Sequence, residues 1–445
     1  MTSIYKNFRH WVLLSMFALV PAGITALRAQ EWTLERCTDS AMVYNTQIRM
    51  LENEEAITRM KIKEVKGKLL PSAHVVADYK YFFDLPTQLM PAHTFNSMAP
   101  EWMYNAAQFG VPHNIDLSVQ AGMPLYHPGI YGNIDKLEQA AEVSGLKTRK
   151  SKEELYLTVA NLYYSGQIVK NKLQFVEKNI ENTHTLMNQL QLLKEQQLVT
   201  GTDIDKVQLK LDELYLNKKQ LEASYERILK ALRLNMGIDG KTALDIPADI
   251  ELIELSTRSA GSITDLELAK AGEQMADIDI RNARRSRLPS VMLYGSYGQT
   301  GYGYDEKPHD FLDFYEKSFV GLKIDIPIWD FSWRKQVNRS KLERENAALK
   351  SQLLADKIKM ETANAENSLA IAAAGIESAR LRVASAERLY NKTLLQHKHQ
   401  IAPLADVLLA DADLRKAQQD ELDAIVDYLK AKMQWQQLTG NIPVK

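Results

Sequence analysis

Proline placement constrains this chain more than any other feature. There is none between Pro128 and Pro247, and none between Pro327 and Pro403. Proline inside a helix costs about 3 kcal/mol, so both tracts are free to be helical throughout. In the first, Leu155, Val159, Leu162, Gly166, Val169, Leu173, Val176, Ile180, Thr183, Met187 and Leu190 step by four and three. That is a heptad seam, which implies helices coiled side by side. In the second tract small residues replace large ones (Ala355, Ala363, Ala370, Ala372, Ala373, Ala374, Ala379), which predicts a close helix approach. After a sharp turn the seam returns as Val207, Leu211, Leu214, Leu221, Ile228 and Leu232. Its counterpart is Val407, Leu414, Ala424, Tyr428, Ala431 and Trp435.

Lengths suggest how these helices pair. A single helix from Leu125 to Val199 would be roughly 110 Å long at 1.5 Å per residue. Asp203 to Met236 and Trp32 to Leu69 would each be roughly half that. Two half-helices stacked end to end would cover one long helix. Residues 238–263, with Pro247 and mixed polarity, would form a non-helical belt where the halves meet.

Four short segments alternate with period two, the sign of a sheet with two different faces. In 71–83, Ala73, Val75, Ala77, Tyr79 and Tyr81 oppose Ser72, His74, Asp78 and Lys80. In 113–123, Ile115, Leu117, Val119, Ala121 and Met123 oppose Asn114, Asp116, Ser118 and Gln120. In 289–298, Val291, Leu293, Gly295 and Tyr297 oppose Ser290 and Ser296, with Met292 and Tyr294 on the polar side. In 318–327, Val320, Leu322, Ile324 and Ile326 oppose Lys323 and Asp325. Strands of about ten residues with apolar and polar faces are what a membrane barrel requires. Tyr79, Tyr81, Phe82 and Phe83 resemble an interfacial aromatic girdle. The stretch Gly295-Ser296-Tyr297-Gly298-Gln299-Thr300-Gly301 lacks the Lys and Ser/Thr of a phosphate loop. It reads as a strand end and an extracellular loop.

Charge is nearly balanced, 55 Lys and Arg against 56 Asp and Glu, which does not suggest a nucleic-acid binder. Residues 1–29 read as a secretory signal: Lys6, Arg9 and His10, an apolar run from Trp11 to Leu27, and a cleavage site at Ala29. No later apolar run is long enough for a membrane-spanning helix. Cys37, the only cysteine, permits no internal disulfide and reads as a small packing residue, not a lipid anchor.

The layout is written twice, from about Pro71 to Gly237 and from about Pro289 to Gly440. The division is a first repeat at 30–237, a linker at 238–263, a second repeat at 264–440 and a tail at 441–445. The expected fold is mainly α with membrane β: two tandem repeats of long antiparallel coiled-coil helices, with four transmembrane strands per chain. Four strands cannot close a barrel, and an open sheet edge in lipid leaves backbone groups unsatisfied at several kcal/mol each. Twelve strands from a trimer could leave a passage, whereas eight from a dimer would be largely filled. This reads as a channel and not an enzyme. A periplasmic coiled-coil adaptor, with a single helical hairpin, and a structural envelope protein are the rival readings.

Short motifs fall in a telling order. Pro124-Leu125-Tyr126-His127-Pro128-Gly129 and Pro327-Ile328-Trp329-Asp330 are strand-to-helix corners. Asp406-Val407-Leu408 opens the helix after the second turn, and Leu438-Thr439-Gly440-Asn441 ends it. In this order the chain resembles the TolC-like outer-membrane factor family, the outer-membrane efflux proteins. The resemblance implies a trimer with a twelve-stranded outer-membrane barrel in contact with lipid and a helical periplasmic tunnel. It also implies docking to a periplasmic adaptor (membrane fusion protein) and an inner-membrane transporter, for efflux or type I secretion, without a cofactor.

The resemblance places gating and adaptor contact at the two turns, 199–205 and 400–406. The residues there are Thr200, Gly201, Thr202, Asp203 and Asp205 in one, and Gln400, Ala402, Pro403 and Asp406 in the other. Thr202 with Asp205 reads as a capping box and Pro403 as a first-turn residue. Asp406 matches one acidic ring of the family, while Leu409 stands where the second would be. Gln400 replaces a tip glycine. The corner residues are Pro124, Gly129, Pro327 and Asp330. His397 and His399, two apart on a helix, do not share a face, and no metal site or catalytic constellation is expected. Met90, Met98 and Met103 in the first loop carry no metal reading.

Overall fold

A computed structural model describes residues 32–94, 97–197, 199–250, 262–304, 306 and 313–443. The secretory signal expected at 1–29, part of the linker and the last two residues lie outside the described residues.

The elements run α1 (Leu34–Tyr44), α2 (Thr46–Gly67), β1 (Ser72–Tyr81), β2 (Thr87–Pro91), β3 (Tyr104–Gln108), β4 (His113–Tyr126), α3 (Pro128–Glu195) and α4 (Gly201–Met236). Then follow α5 (Thr264–Arg285), β5 (Ser290–Gly303), β6 (Asp313–Asp325), α6 (Trp333–Lys398) and α7 (Leu404–Thr439). Helix α3 has 68 residues and α6 has 66, each roughly 100 Å long. Helices α4 and α7 both have 36 residues and both end on a left-handed glycine, Gly237 and Gly440.

The expected single first helix is two helices, broken at Asn45. Its Oδ1 accepts from Gln47 N and Ile48 N, capping α2, while its Nδ2 donates to Asn235 O at 2.8 Å. That bond seats the end of α4 against the break. Gly237 is required there twice over: its φ is +67°, and a Cβ would stand 2.3 Å from Tyr44 O. Helices α2 and α4 therefore meet along α3, as the length rule predicts. Lys66 pairs with Glu138 and Lys152 with Glu52 on the α2 side, and Lys218 with Glu177 on the α4 side.

Helix α5 lies between α3 and α6. It pairs with α3 through Lys136–Asp279 and Arg285–Asp135, and with α6 through Arg344–Glu273 and Arg344–Asp277. Residues 238–250 form the non-helical belt. Leu244 and Ile246 enter a core with Cys37, Ile48, Val159, Leu232 and Met236. The belt's backbone is satisfied by α3: Lys170 donates to Ile246 O, Asn171 to Ala248 O and Gln167 to Asp249 O. Cys37 is fully buried, and burial pushes its thiol up to about 12, which suits an inert packing residue.

The predicted seam of α3 is on the packed side, with Leu155, Val159, Gly166, Val176, Thr183, Met187 and Leu190 all buried. In α6 the small-residue seam is displaced. Ala363, Ala370, Ala373 and Ala374 are exposed, and the buried line runs Ala365, Leu369, Ile376, Ala379. The larger Leu369 and Ile376 hold the side turned to α7, with Leu422, Ile425 and Leu429, because they bury more apolar area than alanine.

The main sheet has the order β1-β4-β5-β6, every neighbour antiparallel. Its register puts the predicted apolar residues on one face: Val75 opposite Val119 opposite Tyr297, Ala73 opposite Ala121 opposite Gly295 opposite Val320, and Leu293 opposite Leu322. The band is interrupted where Leu117 meets Gln299 and Gln299 meets Glu316, and beyond that row Tyr79, Ile115 and Phe314 share the same face. The other face carries Asp78 opposite Asp116, with Lys80 and Lys317 as their ion-pair partners.

Several boundaries differ from expectation; the fourth strand, expected at 318–327, is β6 at Asp313–Asp325. The glycine stretch 295–301 is strand, not loop, and its glycines leave space for the neighbouring strands β4 and β6. A Cβ on Gly298 would stand 2.3 Å from Leu117 O, and one on Gly301 would meet the Phe314 ring at 2.8 Å. Strand β4 continues through Pro124, with a register shift before Tyr126. The first loop contains a hairpin, β2 paired with β3, whose five-residue strands are too short for periodicity to reveal. Among the described residues no helix is long and apolar enough to cross a membrane.

Candidate functional site: the paired tips and the strand-to-helix corners

The α3–α4 and α6–α7 turns sit side by side. Leu186, Met187, Leu190 and Val207 of the first hairpin share a core with Tyr390, Leu404, Val407, Ala410 and Leu414 of the second. A groove between the turns is lined by Val199, Asp203, Lys206, His397, Gln400, Ala402, Pro403 and Leu409, among others. The fold therefore brings Asp203, Gln400, Ala402, Pro403 and Leu409 together. Thr200, Gly201, Thr202, Asp205 and Asp406 lie outside that lining.

In the first turn, the helix starts at Gly201 and Thr200 is its N-cap. The capping box is consequently Thr200 with Asp203, not Thr202 with Asp205. Thr200 N and Oγ1 both donate to Asp203 Oδ2, at 3.2 and 2.8 Å. The hydroxyl bond, then the backbone bond, then nearby Lys206 hold the Asp203 carboxyl below its ordinary value. Thr202 and Asp205 are exposed on the first turns of α4.

The second turn uses a different lock. His397 Nδ1 bonds Ala402 O at 2.9 Å; the carbonyl can only accept, so Nδ1 carries the proton. Pro403 is the N-cap, one place before the first turn, and Asp406 N donates to Pro403 O. Asp406 is exposed in the first turn of α7, where a carboxylate suits the positive end of the helix dipole. Leu409, three residues on, is 64% exposed. His399 is exposed and is the C-cap of α6.

Both turns place a glutamine, not a glycine, in the left-handed region: Gln197 at φ 56° and Gln400 at φ 61°. Gly201, the glycine near the first tip, does not take that role. Each glutamine N–H closes on the carbonyl three residues back, Lys194 or His397.

A charged cluster behind the tips escaped the sequence reading. Arg415 pairs with Asp411 on α7 at 2.5 Å, both largely buried, and Lys210 with Glu213 at 2.6 Å faces them from α4. Burial pushes the Asp411 carboxyl up despite Arg415, whereas its bond with Lys210 holds Glu213 down. The i,i+4 spacing of Asp411 and Arg415 was a usable signal, but that spacing usually marks a solvated helix face.

At the corners, α3 begins at Pro128, where a missing N–H costs nothing. His127 Nδ1 accepts from Ile130 N at 3.3 Å, and Gly129 lies in the first turn. Pro124 is not at the corner but within β4. In the other corner β6 ends at Asp325, Pro327 lies in the connection, and Asp330 closes it. The Asp330 Oδ1 accepts from Ser332 Oγ, Ser332 N and Trp333 N, and these bonds hold its carboxyl down. Trp333, which sequence reading passed over, donates Nε1–H to Ala283 O at 2.7 Å under the Arg287 guanidinium. It ties the start of α6 to the end of α5.

Long paired helices are thus topped by a small sheet with one apolar and one polar face. Residues 259–441 match the family model of the outer membrane efflux protein. No curated protein matches the chain. Among solved structures, it is similar to the outer membrane protein VceC of Vibrio cholerae, with TM-score 0.72 and 13% identity over 93% of this chain and 97% of that one. It is similar to the CmeC outer membrane channel of Campylobacter jejuni, at 0.70 and 13% over 92% and 85%. It is also similar to the open state of the MtrE outer membrane channel of Neisseria gonorrhoeae, at 0.72 and 15% over 92% and 88%. At these identities the likeness is one of fold. The resemblance to the outer-membrane efflux proteins, read from the sequence, thus rests on a family match in the second half and a shared fold along nearly the whole chain.

Proposed function

We propose that the protein is the outer-membrane channel of a tripartite efflux or type I secretion system, spanning the outer membrane and extending into the periplasm. The sheet carries this reading. Among the described residues, its outer strands β1 and β6 pair on one side only, and its faces divide into apolar and polar. Bare edges in hydrocarbon cost several kcal/mol per group, so copies must join edge to edge. Three copies give twelve strands and a passage.

The two repeats, 30–237 and 264–440, then supply two strand pairs and two helical hairpins to one barrel and one tunnel, with 238–263 as the equatorial belt. Ile326, Ile328, Trp329 and Phe331, exposed below β6, suit the interfacial girdle on the periplasmic side. The tips meet a periplasmic adaptor and the inner-membrane transporter that supplies the energy. Residues 1–29 direct export.

The test is reconstitution. Purified protein should run as a heat-modifiable trimer and conduct ions in planar bilayers. A soluble monomer, or a trimer inert in bilayers, overturns the reading. Asp406 is exposed in the first turn of α7; in a trimer with the tips on its axis it would form a ring of three carboxylates that favours cations. Asp406→Ala should lower cation preference while trimer yield holds; unchanged selectivity would make Asp406 a helix-dipole residue alone.

A further inference from the structure

The sheet face that carries Asp116 and Lys317 is not uniform. Its β1 and β4 half presents His74, Asp78, Lys80, Asn114, Asp116 and Gln120. Its β5 and β6 half presents four aromatic rings. The register sets Tyr294 opposite Gly321, Ser296 opposite Phe319, Thr300 opposite Tyr315 and Tyr302 opposite Asp313. The rings form two pairs, Tyr294 with Phe319 and Tyr302 with Tyr315, each with centroids 5.8 Å apart. Between the pairs Gly298 stands opposite Lys317, and Lys317 bonds Asp116. An aromatic pair, a charged centre and a second aromatic pair thus follow one another along the strands.

These rings are 39% to 58% exposed. Packing explains one of them: the Tyr294 ring covers Gly321, where a Cβ would stand 2.9 Å from it. Packing of that kind does not call for four rings on the face that elsewhere is charged. An exposed ring on a polar wall offers an offset or edge-to-face surface to another ring. Its partner charge offers a site for a polar head group. Contacts of this strength suit a conduit, which must hold its cargo weakly enough to release it. Phe319 and Tyr315 are four residues apart, about 13 Å along the strand, so a small molecule could pass from one pair to the next.

We propose that Tyr294, Phe319, Tyr315 and Tyr302 form a track for planar aromatic cargo, with the Lys317–Asp116 pair meeting the cargo's polar group. The track rests on the channel reading above, since this face lines a passage only if it faces the lumen.

The test uses the reconstituted trimer in a planar bilayer, with 1-naphthalenesulfonate and methanesulfonate as probes of equal charge. Naphthalenesulfonate should reduce the potassium chloride current at a concentration about tenfold lower than methanesulfonate. The double variant Tyr315→Ser, Phe319→Ser should lose that preference, and Tyr315→Phe, Phe319→Tyr should keep it. Heat-modifiability reports whether each variant assembles. If the serine variant does not, the wild-type comparison and the single Tyr315→Ser variant decide. Equal block of the wild-type channel by the two probes overturns the track and leaves the channel standing. A trimer with no potassium chloride current removes the lumen itself, and the track with it.

Discussion

At the tips, Leu190, Val207 and Val407 are fully buried within one chain, in a core drawn from four helices. In the sheet, Val75, Val119 and Val320 are exposed, Val320 by 81%. Both sets are apolar and both are regularly spaced, so hydrophobicity does not separate them. What differs is what covers them. The helical end covers its own apolar stripe, whereas in the single chain, among the described residues, the sheet leaves its apolar face and its outer edges uncovered, which the proposed channel would give to lipid and to further copies. The molecule is finished at one end and unfinished at the other.

Two substitutions of comparable size would break this contrast. Leu190→Ala should cost about 2–5 kcal/mol, seen as a lower urea midpoint of the helical circular dichroism. Val119→Arg sits mid-strand on the apolar face and should cost about 2–4 kcal/mol if that face meets the bilayer midplane. Its readout is loss of the heat-modifiable trimer, with the helical signal of the solubilised chain retained. If Val119→Arg assembles normally, the apolar face is not the lipid face, and the sheet must be completed in some other way.

The same contrast explains what the sequence makes legible. Period-two alternation assigned the faces of β1, β4, β5 and β6 correctly, because every second residue must satisfy one medium. The α3 seam was legible for the same reason. Gly298 and Gly301 misled because their role is set by Leu117 and Phe314 on neighbouring strands, which local spacing does not record. The break at Asn45 was hidden likewise: Asn45 caps α2 locally, but the bond that seats α4 against the break goes to Asn235 O, 190 residues away in sequence, which local spacing does not record. In α6, alanines at exposed and buried positions look alike in composition, and only the placement of Leu369 and Ile376 tells them apart. At the tips, Thr200 and Asp203 have the spacing of a capping box, but so do Thr202 and Asp205; which pair wins depends on where the chain leaves α3.

That box gives a smaller and pH-dependent test. Thr200→Ala should cost about 0.5–2 kcal/mol. The folded Asp203 carboxyl lies below its ordinary value of 3.8, so its contribution is present above that pH. It is lost as pH falls through the lower, folded value. Thr200→Ala removes the hydroxyl donor, the largest cause of the shift, and should flatten this acid branch. Asp411 has the opposite sign. Burial raises its carboxyl, so its contribution is lost as pH rises from 3.8 through the raised value. If the acid branch of the Thr200→Ala variant keeps its slope, the Thr200 hydroxyl is not what sets the Asp203 carboxyl.

The smallest effect should come from the turns themselves, and it compares the two hairpins directly. A non-glycine residue in the left-handed region costs about 1 kcal/mol. Gln197 and Gln400 carry this strain at nearly the same φ. Replacing either with glycine relieves it, though glycine gives back part of the gain through the entropy of the unfolded chain. Gln197→Gly and Gln400→Gly should therefore each raise the urea midpoint slightly, and by similar amounts. The second turn differs in one respect: Gln400 lines the groove between the tips, and the His397–Ala402 bond spans its turn. A gain at Gln197 with a loss at Gln400 would mean that the Gln400 side chain holds the tips together through that groove. The strain at position 400 would then be retained for a contact that glycine cannot make, and the two hairpins would be alike in backbone but not in what closes them.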